Sequence, residues 1–130
     1  MMTKQQHIDY WVDTAEKDWV VVQQLFDAKS YVHALFWAHL VLEKLCKAHW
    51  VKDNIVNMPP KTHNLIVILE NTKLKITDEG ESFLRSMNQF QLEGRYPDYA
   101  NTIYNTYKEA NTKIVIDNVN IKRIWLLRSL

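Results

Sequence analysis

The sequence predicts an all-α fold: an up-and-down bundle of four long helices plus one short helix, forming a single domain over residues 1–130. Three observations carry this. There are only 2 glycines and 3 prolines in 130 residues, too few turn formers for a sandwich or barrel of many short strands. Hydrophobic residues make up 47% of the chain, enough to fill a core. The stretch Tyr31–Trp50 is apolar around most of its girth, which marks a central helix covered on several sides.

Taken in order, the first helix is expected from about residue 4 to Lys29. Ile8, Trp11, Ala15, Trp19, Val22 and Phe26 recur at steps of three and four, one amphipathic stripe. Lys29-Ser30 is a short link with Ser30 as N-cap, so the first two helices are antiparallel neighbours. In the central helix, Ala34 and Ala38 allow close approach of a neighbour. A second stripe carries His39, Glu43 and Lys47; Glu43 and Lys47 stand one turn apart in the favourable order for an ion pair. His39 and Glu43 supply only two candidate metal ligands, so no metal and no cofactor are expected.

Asp53 to Thr62 reads as a loop broken by Pro59-Pro60, and Thr62 is the expected cap of a short helix from about His63 to Asn71. His63 is then placed in its first turn, near the positive end of the dipole. The run Leu65–Leu69 has strand character but lacks a partner strand. Thr77 is expected to cap the next helix, with Asp78, Glu79 and Glu81 in its first turn and Gly94 at its end. Arg95-Tyr96-Pro97-Asp98-Tyr99 is expected as a stiff, non-helical bend displaying an arginine, an acid and two tyrosines. The last helix is expected from Ile103 or Thr106 to Arg128, with Tyr107, Ala110, Ile114, Asn118, Ile121 and Trp125 on its inner stripe.

Composition narrows the function classes. A net charge of +1, with no asymmetry between halves, does not mark a bulk nucleic-acid binder, so any phosphate site is local. The single Cys46 excludes an internal disulfide and suits a reducing interior. No run reaches membrane-spanning length and no signal core opens the chain, so a cytoplasmic protein with no membrane contact is expected.

Four segments together resemble the HEPN family (higher eukaryotes and prokaryotes nucleotide-binding). They are Trp11, Ala15 and Asp18; Tyr31, Ala34, Ala38, Glu43-Lys44 and Lys47-Ala48; Pro60-x-Thr62-His63-Asn64-Leu65, with Asn64 where relatives usually carry Asp; and Arg95-Tyr96-Pro97-Asp98. The resemblance implies a helical bundle, a homodimer, and partnership with a separate minimal nucleotidyltransferase in toxin–antitoxin-like pairs. Branches of the family that act as metal-independent ribonucleases use an arginine followed shortly by a histidine. No histidine follows Arg95, so that motif is absent in its usual form.

The expectation is therefore a non-catalytic module binding nucleotide, RNA or a partner segment. Its site would comprise Glu43, Lys47, His63, Arg95, Tyr96 and Asp98: Arg95 and Lys47 on phosphate, Tyr96 stacking, Glu43 and Asp98 orienting Arg95. The alternative is a ribonuclease with His63 as acid/base. A third reading makes Glu43, Arg95 and Asp98 a purely structural ionic network.

Overall fold

The structure is a computed structural model that describes residues 1–130. It contains six α-helices and no strand: α1 (Lys4–Asp27), α2 (Tyr31–Asp53), α3 (Leu65–Leu69), α4 (Asp78–Met87), α5 (Pro97–Thr106) and α6 (Glu109–Arg128). A 3-10 turn, Asn88–Phe90, extends α4. The all-α bundle stands as the sequence predicts, and α2 is its axis. Ala34, Leu35, Ala38, Val41, Leu42, Leu45, Cys46 and Ala48 are all fully buried.

Helix α1 starts with a reciprocal cap. The Thr3 hydroxyl accepts from Gln6 N–H, and the Gln6 side chain accepts from Thr3 N–H. Its end is a Schellman turn: Ser30 N–H reaches Leu25 O at 2.8 Å and Lys29 N–H reaches Phe26 O at 2.9 Å. Lys29 takes the left-handed position (φ 64°) that glycine usually fills. Ser30 occupies the N-cap position of α2 as expected, but its hydroxyl makes no capping bond. The tight turn fixes the entry angle of the chain without it.

The α1–α2 hairpin is antiparallel, as the short link requires. Lys4, at the start of α1, donates to Val51 O in the last turn of α2, to Asn54 O at its C-cap and to Asn57 Oδ1 in the loop beyond, each at 2.7 Å. A lysine thus satisfies carbonyls at the negative end of that helix. Two ion pairs also clamp α1. Lys44 Nζ lies 2.6 Å from Asp18 Oδ2. Arg123 of α6 grips Glu16 through both carboxylate oxygens (2.8 and 2.7 Å) while lying over the Trp19 ring.

Helix α6 runs alongside α2 in the same direction, since its C-terminal Leu126 O accepts from His49 and Ser129 O accepts from Lys52. Its buried face differs from the expected stripe. Thr112, Ile116, Val119 and Leu126 are buried, whereas Ile114 and Ile121 are exposed. Apolar residues occur on every side of this helix. The true inner row, spaced four, three and seven, contains a threonine and skips past Arg123, which disguises it.

The segment after α4 also corrects the sequence reading. Helix α4 is capped by Thr77, whose hydroxyl accepts from Gly80 N–H at 3.0 Å, but it gives way to the 3-10 turn at Asn88 instead of reaching Gly94. Gly94 serves a separate turn with φ +76°, closed by Arg95 N–H on Leu92 O. Tyr96 is extended (φ −70°, ψ 153°), as the following proline requires. Pro97, however, does not prolong a bend; it is the first residue of α5. At that position its missing N–H costs nothing and its fixed φ already suits a helix. Asp98 and Tyr99 therefore sit in a helical first turn. The expected last helix divides at the extended residues Tyr107 and Lys108, where Asn111 donates to Thr106 O and accepts from Lys108 N–H, both at 2.7 Å.

Candidate functional site

The buried polar centre of the molecule is Glu43. It lies mid-way along α2, is only 4% exposed, and its two carboxylate oxygens have different partners. Oε2 accepts from Lys47 Nζ at 3.1 Å; Oε1 is 2.8 Å from His63 Nδ1. A second imidazole, the fully buried His39, places Nδ1 at 3.9 Å from the same Oε1. Lys47 is nearly enclosed, with its ammonium over the Trp11 ring at 5.3 Å. It is committed to Glu43 and Trp11, so its charge is not free for a phosphate. That corrects the role expected for it.

His63 is carried by the chain just before α3. The cap of α3 is Asn64, not Thr62: its side-chain oxygen accepts from Ile66 N–H (3.0 Å) and Val67 N–H (3.3 Å). Asparagine caps a helix as well as aspartate does. His63 therefore precedes the helix instead of occupying its first turn, and the dipole argument does not apply to it. What holds it is Glu43. Its side chain is 54% exposed, so the imidazole is anchored on one edge and open to solvent.

Asn88 joins this cluster to the 3-10 turn. Its Oδ1 accepts from Leu65 N–H at 3.1 Å and lies 3.3 Å from His39 Nε2, while its Nδ2 donates to Asn64 Oδ1 at 3.1 Å. Because Oδ1 can only accept, His39 carries its proton on Nε2, which leaves Nδ1 as a lone pair with no hydrogen-bond partner. Asn88 was not among the residues singled out from the sequence, and an asparagine near the end of an amphipathic helix gives no signal of this kind.

On the other side of the turn, Gln89 O accepts from the Tyr99 hydroxyl at 3.1 Å, and Gln89 Oε1 accepts from the Tyr107 hydroxyl at 3.3 Å. The Arg95 guanidinium stacks on Tyr99, 4.7 Å from the ring centroid, and its Nε donates to Gln91 O at 3.3 Å. Arg95 makes no ion pair with Glu43 or Asp98, contrary to the expectation that these acids orient it; Tyr99 and a backbone carbonyl do so instead. The structural ionic network of Glu43, Arg95 and Asp98 is therefore absent. Tyr96 is 85% exposed and Asp98 is exposed. The six residues thus form two groups flanking Asn88–Phe90: Glu43, Lys47 and His63 on one side, Arg95, Tyr96 and Asp98 on the other.

The chain matches the family model of the HEPN domain over residues 8–119. It belongs to the HEPN family. No curated protein and no solved structure matches it. HEPN membership points to a nucleotide- or RNA-related role, and the matched span includes all six residues described above. No helix of this HEPN chain is long and apolar enough to cross a membrane, and no group of three or more His, Cys, Asp or Glu side chains is arranged to hold a metal.

Burial sets the titration of the inner groups. Desolvation pushes His39 below the ordinary histidine value despite the opposing attraction of Glu43, and pushes His49 down likewise against its bond to Leu126 O. Burial raises the Cys46 thiol, with Glu43 adding to the effect, so this cysteine is an inert core residue. For histidines lowered by folding, the unfolded chain takes up protons first as pH falls. Native stability is thus complete above about pH 6.5 and is lost as pH drops below it, down to the folded values. Each site contributes up to about 1.4 kcal/mol per pH unit within that window. Urea denaturation at pH 7.5 and 5.5 should show a lower midpoint at 5.5, and in NMR spectra the His39 and His49 imidazoles should titrate below the ordinary histidine value.

Proposed function

We propose that this HEPN chain is a nucleotide- or RNA-binding module, acting as a homodimer beside a minimal nucleotidyltransferase in a toxin–antitoxin-like pair. The observation that carries the binding reading is Arg95. Its guanidinium has no carboxylate partner, is braced on Tyr99, and stands next to the exposed ring of Tyr96. A guanidinium held by stacking keeps its remaining N–H groups for phosphate, and an exposed tyrosine offers a base a face to stack on. Within this reading His63 provides a further polar contact, Glu43 and Lys47 hold it in place, and Asp98 contributes from the first turn of α5.

Fluorescence anisotropy with labelled single-stranded RNA and with ATP tests the proposal. Arg95→Ala should weaken binding by about 1.5–3 kcal/mol, roughly tenfold or more, as expected for a charge-assisted contact. Stability should stay within about 0.5 kcal/mol, because no ion pair is broken. Unchanged affinity in the variant, or no binding by the native chain, would refute it. The partner reading is tested separately, by co-purification of a nucleotidyltransferase with the native chain.

A further inference from the structure

We infer that the trough between α4 and α6 receives an amphipathic helix of a different protein, one with acidic side chains flanking an apolar seam. This surface is separate from Arg95 and does not depend on RNA binding there. The first observation is a stripe that faces away from the core. Ile114, Asn118, Ile121 and Trp125 recur at steps of four, three and four along α6, the spacing of a coiled-coil seam. The bundle draws its core from another row of this helix, so Ile114 stays 63% and Ile121 60% exposed, with Trp125 half-buried. Large apolar side chains exposed in a row mark a surface for a partner. The row is about 16 Å long, three turns of a facing helix.

Helix α4 supplies a second wall. Two cavities, of about 280 and about 390 Å³, lie between α4 and α6 and share Ile121 and Lys122. The first sets Ile76 and Gly80 against Trp125; the second sets Phe83 against Asn118. The two helices therefore run antiparallel along one trough with an apolar floor. A trough walled by two helices suits the apolar face of a third.

Charge selects the occupant. Lys122 reaches across to α4, where its ammonium would stand 3.7 Å from a Cβ on Gly80. Lys75 borders the same cavity, and Arg128 continues the seam three residues past Trp125. None of the three has an ion-pair partner, and Glu79 is the one carboxylate lining either cavity. The rim thus carries excess positive charge. A second copy of this chain does not answer it. Paired parallel on the same seam, it sets Lys122 against Lys122; paired antiparallel about Asn118, it sets Lys113 beside Lys122. A foreign helix with glutamates beside its seam neutralises the rim, and Asn118 fixes its register by demanding a polar side chain opposite.

The test uses the full chain and two labelled synthetic helices of about twenty residues. Both carry leucines at three-four spacing around one asparagine; one is flanked by glutamates, the other by lysines. Anisotropy should show the glutamate peptide binding about tenfold or more tighter than the lysine peptide. Ile121→Asp, an exposed change whose fold is checked by circular dichroism, should weaken it about tenfold or more. Lys75→Glu with Lys122→Glu should reverse the preference between the peptides. No binding, equal binding of both peptides, or affinity unmoved by Ile121→Asp overturns the inference. So does sedimentation showing a native dimer that Ile121→Asp dissociates, which would give the seam to a second copy. RNA affinity should be the same in Ile121→Asp and the native chain, so failure here leaves the Arg95 reading standing.

Discussion

Glu43→Ala should lower stability by about 3–5 kcal/mol, the range for stripping a buried charge of its partner. The loss falls on Lys47, whose ammonium is enclosed by α2 and Trp11 and would face no anion. His63 would lose its only side-chain hydrogen bond but could rehydrate, being half in solvent. His63→Ala should therefore cost about 1 kcal/mol at most. A double variant, Glu43→Leu with Lys47→Met, should recover much of the loss, because an apolar pair of similar size leaves no charge stranded. Urea unfolding of the four proteins checks this. Equal midpoints for Glu43→Ala and His63→Ala would mean that the carboxylate is not the anchor of the polar centre.

A loss of similar size, about 3–5 kcal/mol, is expected for Phe90→Ala, from a cavity in the core. Phe90 ends the 3-10 turn, is 1% exposed, and meets Tyr107 edge to face with ring centroids 4.9 Å apart. Its removal should do more than empty a space. Tyr107 and Tyr99 both hang from Gln89, the residue before it, and Tyr99 is the shelf for Arg95. RNA affinity should thus fall together with stability and near-ultraviolet circular dichroism. Leu42→Ala, an equally buried change on α2, should cost about 2–5 kcal/mol yet leave the affinity of the folded protein unchanged. Thermal unfolding and anisotropy on both variants separate the two effects.

Those contrasts follow the line between what the sequence reveals and what it conceals. The α1 stripe and the enclosed α2 were legible because their apolar spacing repeats over many turns. The Thr77 cap was legible because a hydroxyl followed by acids has one local meaning. Local chemistry was ambiguous elsewhere. Pro97 reads equally as a helix stop and a helix start, and only the conformations of Gly94 and Tyr96 before it decide for the latter. In α6, isoleucine and valine on all faces left no contrast between inside and outside; the choice was made by Arg123 reaching Glu16 and Trp19, a contact spanning most of the chain.

The candidate site divides in the same way. The Glu43–Lys47 pair follows from one turn of helix. The Glu43–His63 contact joins positions twenty residues apart and depends on how the loop after α2 folds back. The bond network of Asn88 lies beyond any sequence pattern, yet it ties His39 and the start of α3 to the turn that also supports the Arg95 shelf. Arg95 is exposed, but its supports are not the acids expected from the sequence, because stacking on Tyr99 four residues later requires the helix that begins at Pro97.

The central claim of the proposed binding function is that the exposed residues on the two sides of Asn88–Phe90, His63 on one and Arg95 and Tyr96 on the other, form one ligand-facing surface. Titrating a short single-stranded RNA into isotope-labelled protein and following amide and side-chain NMR shifts tests it most directly. The account predicts that perturbations concentrate at Arg95, Tyr96, Tyr99 and His63, with the exposed outer faces of α1 and α6 silent. Shifts confined to those outer faces, with Arg95 and His63 unmoved at saturation, would contradict it.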